Sequence, residues 1–252
     1  MAQKNVHIVI QARVGSMRLP GKVLLPFVGQ YTFLEWVVKR CLISTQATKV
    51  IVATTTSPKD DAIEALCKEK GFAYMRGSED DVLARYFAAA QQFGSEIIIR
   101  VNSDCPLIDV TEMDRAIEIL QAEQLEYANT HPGGLPVGMG AEVFTRVALE
   151  KVAKQAKDPY EHEHVTPYFY RHPELFKQKE VAALNVHTYD PSTRFALDTP
   201  QDLEFLTQLA KELNFSNPKA QPSTNDILAY LELHPELIEI NKAIVQKTFP
   251  KA

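Results

Sequence analysis

The chain is expected to fold as an α/β protein with a mostly parallel mixed sheet covered by helices on both faces. Three observations predict this. Near-continuous apolar runs at residues 6–10, 49–54 and 96–101 read as strands buried on both sides. Segments with apolar residues at helical spacing separate them, as layered α/β architecture requires. The polar, chemistry-bearing stretches follow directly after these runs, where open parallel sheets bind their ligands. At 252 residues and 45% hydrophobic content the chain has enough apolar material for a substantial core, as one large domain or two small ones.

The first strand, residues 6–10, opens into a loop that carries Gly15 and Gly21, Ser16, Arg13, Arg18 and Lys22. Glycines allow close approach of a ligand, and Arg and Lys supply the charge that holds phosphate. The Walker pattern G-x-x-x-x-G-K-[ST] does not fit, because five residues separate Gly15 from Gly21 and Val23 follows Lys22. A phosphate site of another design and a plain basic surface loop both remain open on these residues alone.

A helix over 32–43 follows, with Phe33, Trp36, Val37 and Cys41 on its inner face. After the strand at 49–54, Ser57 reads as an N-cap, Pro58 as the first helical residue and Asp60 and Asp61 as first-turn acids; Ile63, Leu66 and Cys67 face inward, and Gly71 ends the helix. Residues 72–75 form a short strand. Ser78 with Asp81 suggests a capping box for a helix with Val82, Tyr86 and Phe93 on one face, stopped by Gly94. The strand at 96–101 leads through Asn102, Ser103, Asp104, Cys105 and Pro106 into a helix with Met113, Ala116, Ile117 and Leu120 inward.

The pattern loosens from Tyr127. Residues 131–140 are the most glycine-dense part of the chain and read either as a surface loop or as a wall over a substrate. Glu142 to Phe144 lead to a helix over 145–155, and then to a stretch rich in His and Tyr at 160–173. Its His162-x-His164 spacing fits a metal ligand pair or ordinary hydrogen-bonded histidines, and HExxH geometry is absent. Residues 181–186 and 194–197 read as a pair of strands. Thr199, Pro200 and Asp202 then spell an N-cap, first helical residue and capping acid, and two structural helices are expected at 225–233 and 235–247 after a polar linker at 216–223.

The formal net charge of −5 argues against nonspecific nucleic-acid binding. Cys41, Cys67 and Cys105 are odd in number and lack CxxC spacing, so reduced thiols are expected rather than a disulfide framework or zinc site. No apolar stretch approaches the ~18 residues of a membrane span, and no signal-like segment precedes the first strand; the chain reads as a soluble, cytoplasmic protein with no membrane partner. If the first loop holds a triphosphate, a divalent cation must offset its charge through hard oxygen ligands. Asp104 and Asp198, each just beyond an apolar run, are the candidates, with turn and cap roles as the alternative.

The motifs IQARVGSMRLPGK at 10–22, VAT at 52–54, RGSEDDVL at 76–83, NSDCPL at 102–107, EHVTPY at 163–168 and LDTPQDL at 197–203 occur in order. Together they resemble the cytidylyltransferases that activate acidic sugars, of the spore-coat-polysaccharide type, with more distant similarity to CMP-3-deoxy-manno-octulosonate and CMP-acylneuraminate synthetases. The resemblance implies a three-layer, Rossmann-like nucleotidyltransferase fold of glycosyltransferase-A type over 1–215, with 216–252 as a helical extension packed on the same domain. It implies transfer of CMP from CTP to a sugar acid for surface polysaccharide synthesis, with Mg²⁺ as cofactor. Arg13, Ser16, Arg18 and Lys22 would bind the triphosphate, with Arg18 and Lys22 facing the leaving pyrophosphate. Ala12, Gly15 and Asn102 are placed with the nucleotide, and Ala53, Thr54 and Thr55 near its base or ribose. Asp104 and Asp198 would hold the metal and act with Arg18 and Lys22 in catalysis. His164, Tyr168 and Arg171 match a sugar-holding segment of the octulosonate enzymes, and Glu142 is assigned with them. Those enzymes carry QGDEP where this chain has NSDCP at 102–106, and the segment 133–140 has no clear counterpart. A homodimer is implied, with 181–195 or the last helices as contacts. Another base, a non-sugar acceptor, a glycosyltransferase on the same fold and a nucleotide-binding regulatory module are the competing readings; the Arg18 and Lys22 charges favour a triphosphate over a two-phosphate donor.

Overall fold

A computed structural model describes residues 4–131, 134–184 and 186–244. Its central sheet is built from β1 (Val6–Gln11), β4 (Lys49–Thr55), β5 (Ala73–Gly77), β6 (Ile97–Asn102), β7 (Tyr127–Asn129), β8 (Glu142–Thr145) and β9 (Gln178–Glu180), in the order β5-β4-β1-β6-β8-β7-β9. A small antiparallel ribbon, β2 (Pro26–Val28) with β3 (Tyr31–Thr32), stands apart. β1 lies between β4 and β6 and pairs with both in parallel, Gln11 opposite Ala53 on one side and Asn102 on the other. β8 runs against β6 and β7, while β9 is parallel to β7. The sheet is therefore mixed, with β8 reversed.

The apolar runs are continuous because both faces of the sheet are covered. Ile8 and Ile10 pack with Leu34 and Val37 of α1 (Phe33–Cys41), Ile63 and Cys67 of α2 (Asp61–Lys70), and Met113 and Ile117 of α4 (Val110–Ala122). Val9, between them, points to the other side, where Leu83 and Tyr86 of α3 (Val82–Phe93) and Leu149 and Val152 of α5 (Arg146–Gln155) cover it. The expected helices are present with local stop signals intact: Thr32 and Glu35 form a reciprocal capping box on α1, and Gly71 and Gly94 end α2 and α3 in left-handed conformation at φ 68 and 65°.

A third cluster joins the C-terminal part to the sheet layers. Phe195 and Leu197 pack with Phe205 and Leu209 of α8 (Pro200–Glu212), Ile227 and Leu231 of α9 (Thr224–Leu233), and Leu237 of α10 (Pro235–Glu239), against Phe33 and Trp36 of α1. Polar ties reinforce it: the Trp36 indole donates to Gln221 at 3.1 Å, and Arg40 donates to the Pro218 carbonyl at 2.7 Å.

Several expectations are corrected. Ser57 stands at the N-cap position with Pro58 first, but it caps a 3-10 turn at Pro58–Asp60 that precedes α2, its side chain makes no capping bond, and Asp60 turns its carboxylate to Val14 N–H. Asp81, not Ser78, is the N-cap of α3 and accepts from Ala84 N–H at 2.8 Å, while Ser78 accepts from Asp81 N–H at 3.0 Å. The strand pair at 181–186 and 194–197 is absent from the described residues. In its place, polar β9 at 178–180 adds to β7, and Arg194 makes a lone parallel bridge to Val137. Edge strands need no apolar alternation, which is why β9 left no pattern. α10 ends at Glu239 and turns at 240–243. The expected helix residues 245–247, as well as Asn185, Pro132 and Gly133, lie outside the described residues.

Candidate active site

The loop after β1 is shaped first by backbone hydrogen bonds. Ser16 and Gly21 N–H groups both donate to the Val14 carbonyl, at 2.8 and 3.1 Å. Gly21 adopts φ +70°, with open space where a Cβ would stand, and the chain then enters a 3-10 turn whose first residue is Lys22. Asp60 pins the loop from outside: its Oδ1 accepts from Val14 N–H at 2.7 Å and its Oδ2 from the Thr55 hydroxyl. Ala12 donates to the Ala53 carbonyl at 3.2 Å. Ala53, Thr54 and Thr55 at the end of β4 thus lie beside the loop and are buried. Arg13, Gly15 and Arg18 are exposed, and Ser16 is half-buried with its hydroxyl accepting from Leu19 N–H at 3.4 Å.

Lys22 is 9% exposed and crosses from the loop to the two predicted carboxylates. Its ammonium donates to Asp104 Oδ2 at 2.6 Å, to Asp198 Oδ1 at 2.9 Å and to the Leu197 carbonyl at 2.6 Å. Burial alone would lower the Lys22 pKa, but the two carboxylates outweigh it and raise it. Arg18 reaches the same Asp198 Oδ1 at 3.0 Å. Asp198 Oδ2 faces inward, where Arg194 donates to it at 2.8 Å. Burial would raise the Asp198 pKa; Lys22, Arg18 and Arg194 overcome it and hold the carboxyl below its usual range.

Asp104 follows β6, and its carbonyl accepts from Leu197 N–H at 2.8 Å, so the segment before Asp198 is hydrogen-bonded directly to the segment carrying Asp104. Cys105 lies beside it, Sγ 3.6 Å from Asp104 Oδ1, with burial first and the neighbouring carboxylate second raising its thiol pKa. Asn102 and Gln11, opposite each other on β6 and β1, each bury a side-chain amide oxygen that finds no partner, and the Thr54 hydroxyl is likewise unpartnered. Unsatisfied polar atoms of this kind are uncommon in folded proteins and collect here at the rim of the sheet.

The His- and Tyr-rich stretch folds into two short helices, α6 (Pro159–His164) and α7 (Pro167–Arg171). Arg171 donates to Asp158 at 2.8 Å and Glu161 at 3.2 Å and stacks over the Tyr160 ring. The Tyr168 hydroxyl donates to Gln155 at 3.2 Å and its ring lies on His172. His164 is half-buried against the Tyr160 ring, and His162 bonds Asp81 at 2.8 Å. Glu142 is 4% exposed and accepts from Arg100 and the Tyr127 hydroxyl, both at 2.7 Å. Burial would raise its pKa, but Arg100 overcomes this and lowers it. Among the described residues no cluster of three or more His, Cys, Asp or Glu side chains could hold a metal, so the His162-x-His164 pair is not part of one.

The structure thus brings Arg18, Lys22, Asp104 and Asp198 into one cluster, with Ala12, Ala53 and Thr55 shaping the loop beside it. Away from it, His164 and Arg171 meet at the Tyr160 ring, while Tyr168 is held by Gln155 and His172. Three residues escaped sequence reading. Asp60 is the helix-start acid and Asp202 the capping acid that the sequence suggests, but their contacts to the loop and to Arg194 were not visible in it. Arg194 was placed in a strand, although its position four before Asp198 and eight before Asp202, in an apolar stretch, was a usable signal for a buried charge pair.

The two carboxylates that share the Lys22 ammonium show that their oxygens converge on one cation, so the donor set suits a hard divalent ion completed by phosphate oxygens and water. No helix among the described residues is long and apolar enough to cross a membrane. Residues 7–223 match the sequence profile of the cytidylyltransferase family. The chain is 30% identical over 237 residues to the spore coat polysaccharide biosynthesis protein SpsF of Bacillus subtilis, covering 92% of this chain and 96% of that protein. It is 30% identical over 152 residues, 58% of this chain and 57% of the other, to the 8-amino-3,8-dideoxy-manno-octulosonate cytidylyltransferase of Shewanella baltica. The structure of a cytidylyltransferase from Leptospira borgpetersenii serovar Hardjo-bovis superposes with a TM-score of 0.86 at 34% identity, covering 96% of this chain and 100% of that one. A profile match over most of the length, with full-length relatives and a shared nucleotidyltransferase fold, means that the chain belongs to the cytidylyltransferase family of enzymes.

Proposed function

We propose that this enzyme transfers CMP from CTP to a hydroxyl of an acidic sugar, releasing pyrophosphate, with Mg²⁺ as cofactor, and that the CMP-sugar serves the synthesis of a surface polysaccharide. The observation that carries the reading is the Lys22 ammonium shared by Asp104 and Asp198 at the foot of an arginine-bearing loop. In a cytidylyltransferase this cluster meets both needs of the reaction, cationic groups for a triphosphate and converging carboxylates for its counter-ion. The names of the relatives, a spore coat polysaccharide protein and an octulosonate cytidylyltransferase, support a sugar-acid acceptor.

In this reading Lys22 and Arg18 exchange carboxylate oxygens for phosphate oxygens when the nucleotide enters, since the triphosphate presents the denser negative charge. Arg13 and Ser16 hold the same phosphates, and Ala53 to Thr55, with Ala12, Gly15 and Asn102, border the nucleoside. Asp104 and Asp198, released from Lys22, are the residues that would hold Mg²⁺, which when bound offsets the triphosphate charge and polarises the α-phosphate. The sugar is assigned to the side of Glu142 and the α6–α7 arm, with His164, Tyr168 and Arg171. The sugar hydroxyl attacks the α-phosphorus in line; the new O–P bond forms as the bond to the bridging oxygen breaks, and the hydroxyl proton leaves to solvent. Arg18 and Lys22 stabilise the charge that grows on pyrophosphate. Positioning and electrostatics supply the catalysis.

The test is pyrophosphate release from each nucleoside triphosphate with a panel of sugar acids. Turnover is expected with CTP, a sugar acid and Mg²⁺. Turnover with only another nucleotide or a non-sugar alcohol overturns the reading. Asp104→Asn is expected to lose at least about 100-fold in kcat; full Mg²⁺-dependent turnover in that variant sinks the metal assignment.

A further inference from the structure

Behind Asp198 lies a buried network that none of the assigned roles uses. Arg194 is 3% exposed, and its Nη1 donates to both oxygens of Asp202, at 2.8 and 2.9 Å, while Nη2 donates to Asp198 Oδ2 at 2.8 Å. Asp202 is fully buried and also accepts from the backbone N–H groups of Asp198 and Thr199, at 3.0 and 2.9 Å. Asn241, 1% exposed on the turn after α10, donates from its side chain to Asp202 Oδ1 at 3.0 Å and to the Arg194 carbonyl at 3.3 Å.

We propose that Arg194, backed by Asp202 and Asn241, is the positioning residue of Asp198: it fixes one oxygen of that carboxylate so that the other alone is presented to a cation, and through Asn241 it makes the C-terminal helical extension part of the active site. The proposal rests on the reading that Asp198 holds the divalent cation. Two physical arguments carry it. The first is orientation. Lys22 and Arg18 both hold Oδ1, and both move to phosphate in the proposed reaction, so they cannot fix the carboxylate plane at the moment a cation binds. Arg194, on Oδ2, does not move with them. The second is charge. A buried guanidinium facing Asp198 alone would neutralise it and weaken its hold on any cation. Asp202 pairs with Arg194 through both its oxygens and offsets much of that charge, so Asp198 keeps more of its own for the cation. Asn241 is neutral, adds a donor to Asp202 and leaves this balance unchanged. Arg194 touches no reacting atom in this scheme; it acts through Asp198, as the partners behind metal ligands do.

The experiment measures Mn²⁺ binding by electron paramagnetic resonance in the presence of CTP, with kcat, KM for CTP and the unfolding midpoint, for the wild type, Arg194→Gln, Arg194→Lys, Asn241→Ala, Asp198→Asn and the double variant Arg194→Gln with Asp198→Asn. Arg194→Gln is expected to weaken Mn²⁺ about tenfold or more and to lower kcat by a similar factor with KM little changed. Arg194→Lys, which keeps the charge without the fork, falls in between, and Asn241→Ala shows a smaller loss of the same kind. The double variant is expected to be no worse than Asp198→Asn, because the effect runs through that carboxylate. The proposal is overturned if Arg194→Gln loses thermal stability but keeps wild-type Mn²⁺ affinity and kcat, or if its loss adds in full to that of Asp198→Asn. Should Arg194→Gln fail to fold, wild-type Mn²⁺ affinity and kcat in both Arg194→Lys and Asn241→Ala overturn it equally. Failure of the underlying reading looks different: Asp198→Asn then binds Mn²⁺ as the wild type does.

Discussion

Lys22 is an internal cation and, in the proposed reaction, a phosphate ligand. With three acceptors around its ammonium, it holds Asp104 and Asp198 together, and under the proposed function it would compete with a metal for them. Lys22→Met should therefore raise the Mn²⁺ affinity of the nucleotide-free protein about tenfold, an effect of roughly 1.4 kcal/mol, while lowering pyrophosphate release sharply; unchanged metal affinity would contradict the competition. Asp60 has a quieter role at the same scale. It is 1% exposed and accepts from Val14 N–H and the Thr55 hydroxyl, one on the phosphate-type loop and one on β4. Asp60→Ala strands both donors and should cost about 1–3 kcal/mol in denaturant unfolding and raise KM for CTP. Lys22 and Arg18 were legible as cations in the loop after β1, Asp104 as an acid after β6 and Asp198 as an acid after an apolar run. Asp60 was not, because an acid at a helix start has a sufficient local explanation.

The α6–α7 arm shows how an element is docked by a few polar contacts. His162 bonds Asp81, the N-cap of α3, at 2.8 Å, and its other ring nitrogen lies 3.2 Å from the Ala156 carbonyl. Burial works to lower the His162 pKa, but the hydrogen bonds to Asp81 and Ala156 outweigh it and raise it above its ordinary 6.5. A raised folded pKa places the stabilisation fully below about pH 6.5, and it is lost as pH rises through the folded value. The unfolding midpoint of the wild type should thus exceed that of His162→Gln most at pH 6 and converge with it towards pH 8, as followed by thermal melts. A gap that widens with pH would show the reverse linkage. The helices themselves were readable because helical spacing, caps and glycine stops are local, as Gly71, Gly94 and Thr199 show. β7, β8 and β9 were not, being short, and in β9 polar, with their pairing decided by neighbours far along the chain.

At the scale of the whole molecule, the glycine-bearing loop acts as a seam. Val137 bridges Arg194, and its carbonyl accepts from Phe195 N–H at 2.8 Å. Gly138 adopts φ +93°, and a Cβ there would stand 2.7 Å from the Phe195 carbonyl carbon and 2.9 Å from the Ala196 nitrogen. Only a glycine lets the two backbones pass here, just before Leu197 N–H donates to the Asp104 carbonyl. Gly138→Ala should destabilise by about 2–4 kcal/mol and reduce turnover, since backbone on both sides must give. Gly140→Ala, whose Cβ would meet the His131 ring at 2.8 Å, should cost less, about 1 kcal/mol, because a side chain can swing away; equal losses in the two melts would argue against the seam.

The sequence by itself determined the α/β class, the three buried strands that lead into chemistry, their helices and the family, because burial on both faces, helical spacing, caps and motif residues are written within a few neighbours of each other. Tertiary structure alone decided that β8 runs backwards, that polar β9 joins the sheet, that the Asp198 segment is tied to Asp104, and that Asn241 stands behind Arg194 and Asp202. Pairing between charges distant in the chain depends on where sheet register and backbone crossings place them, and no local pattern records a distance.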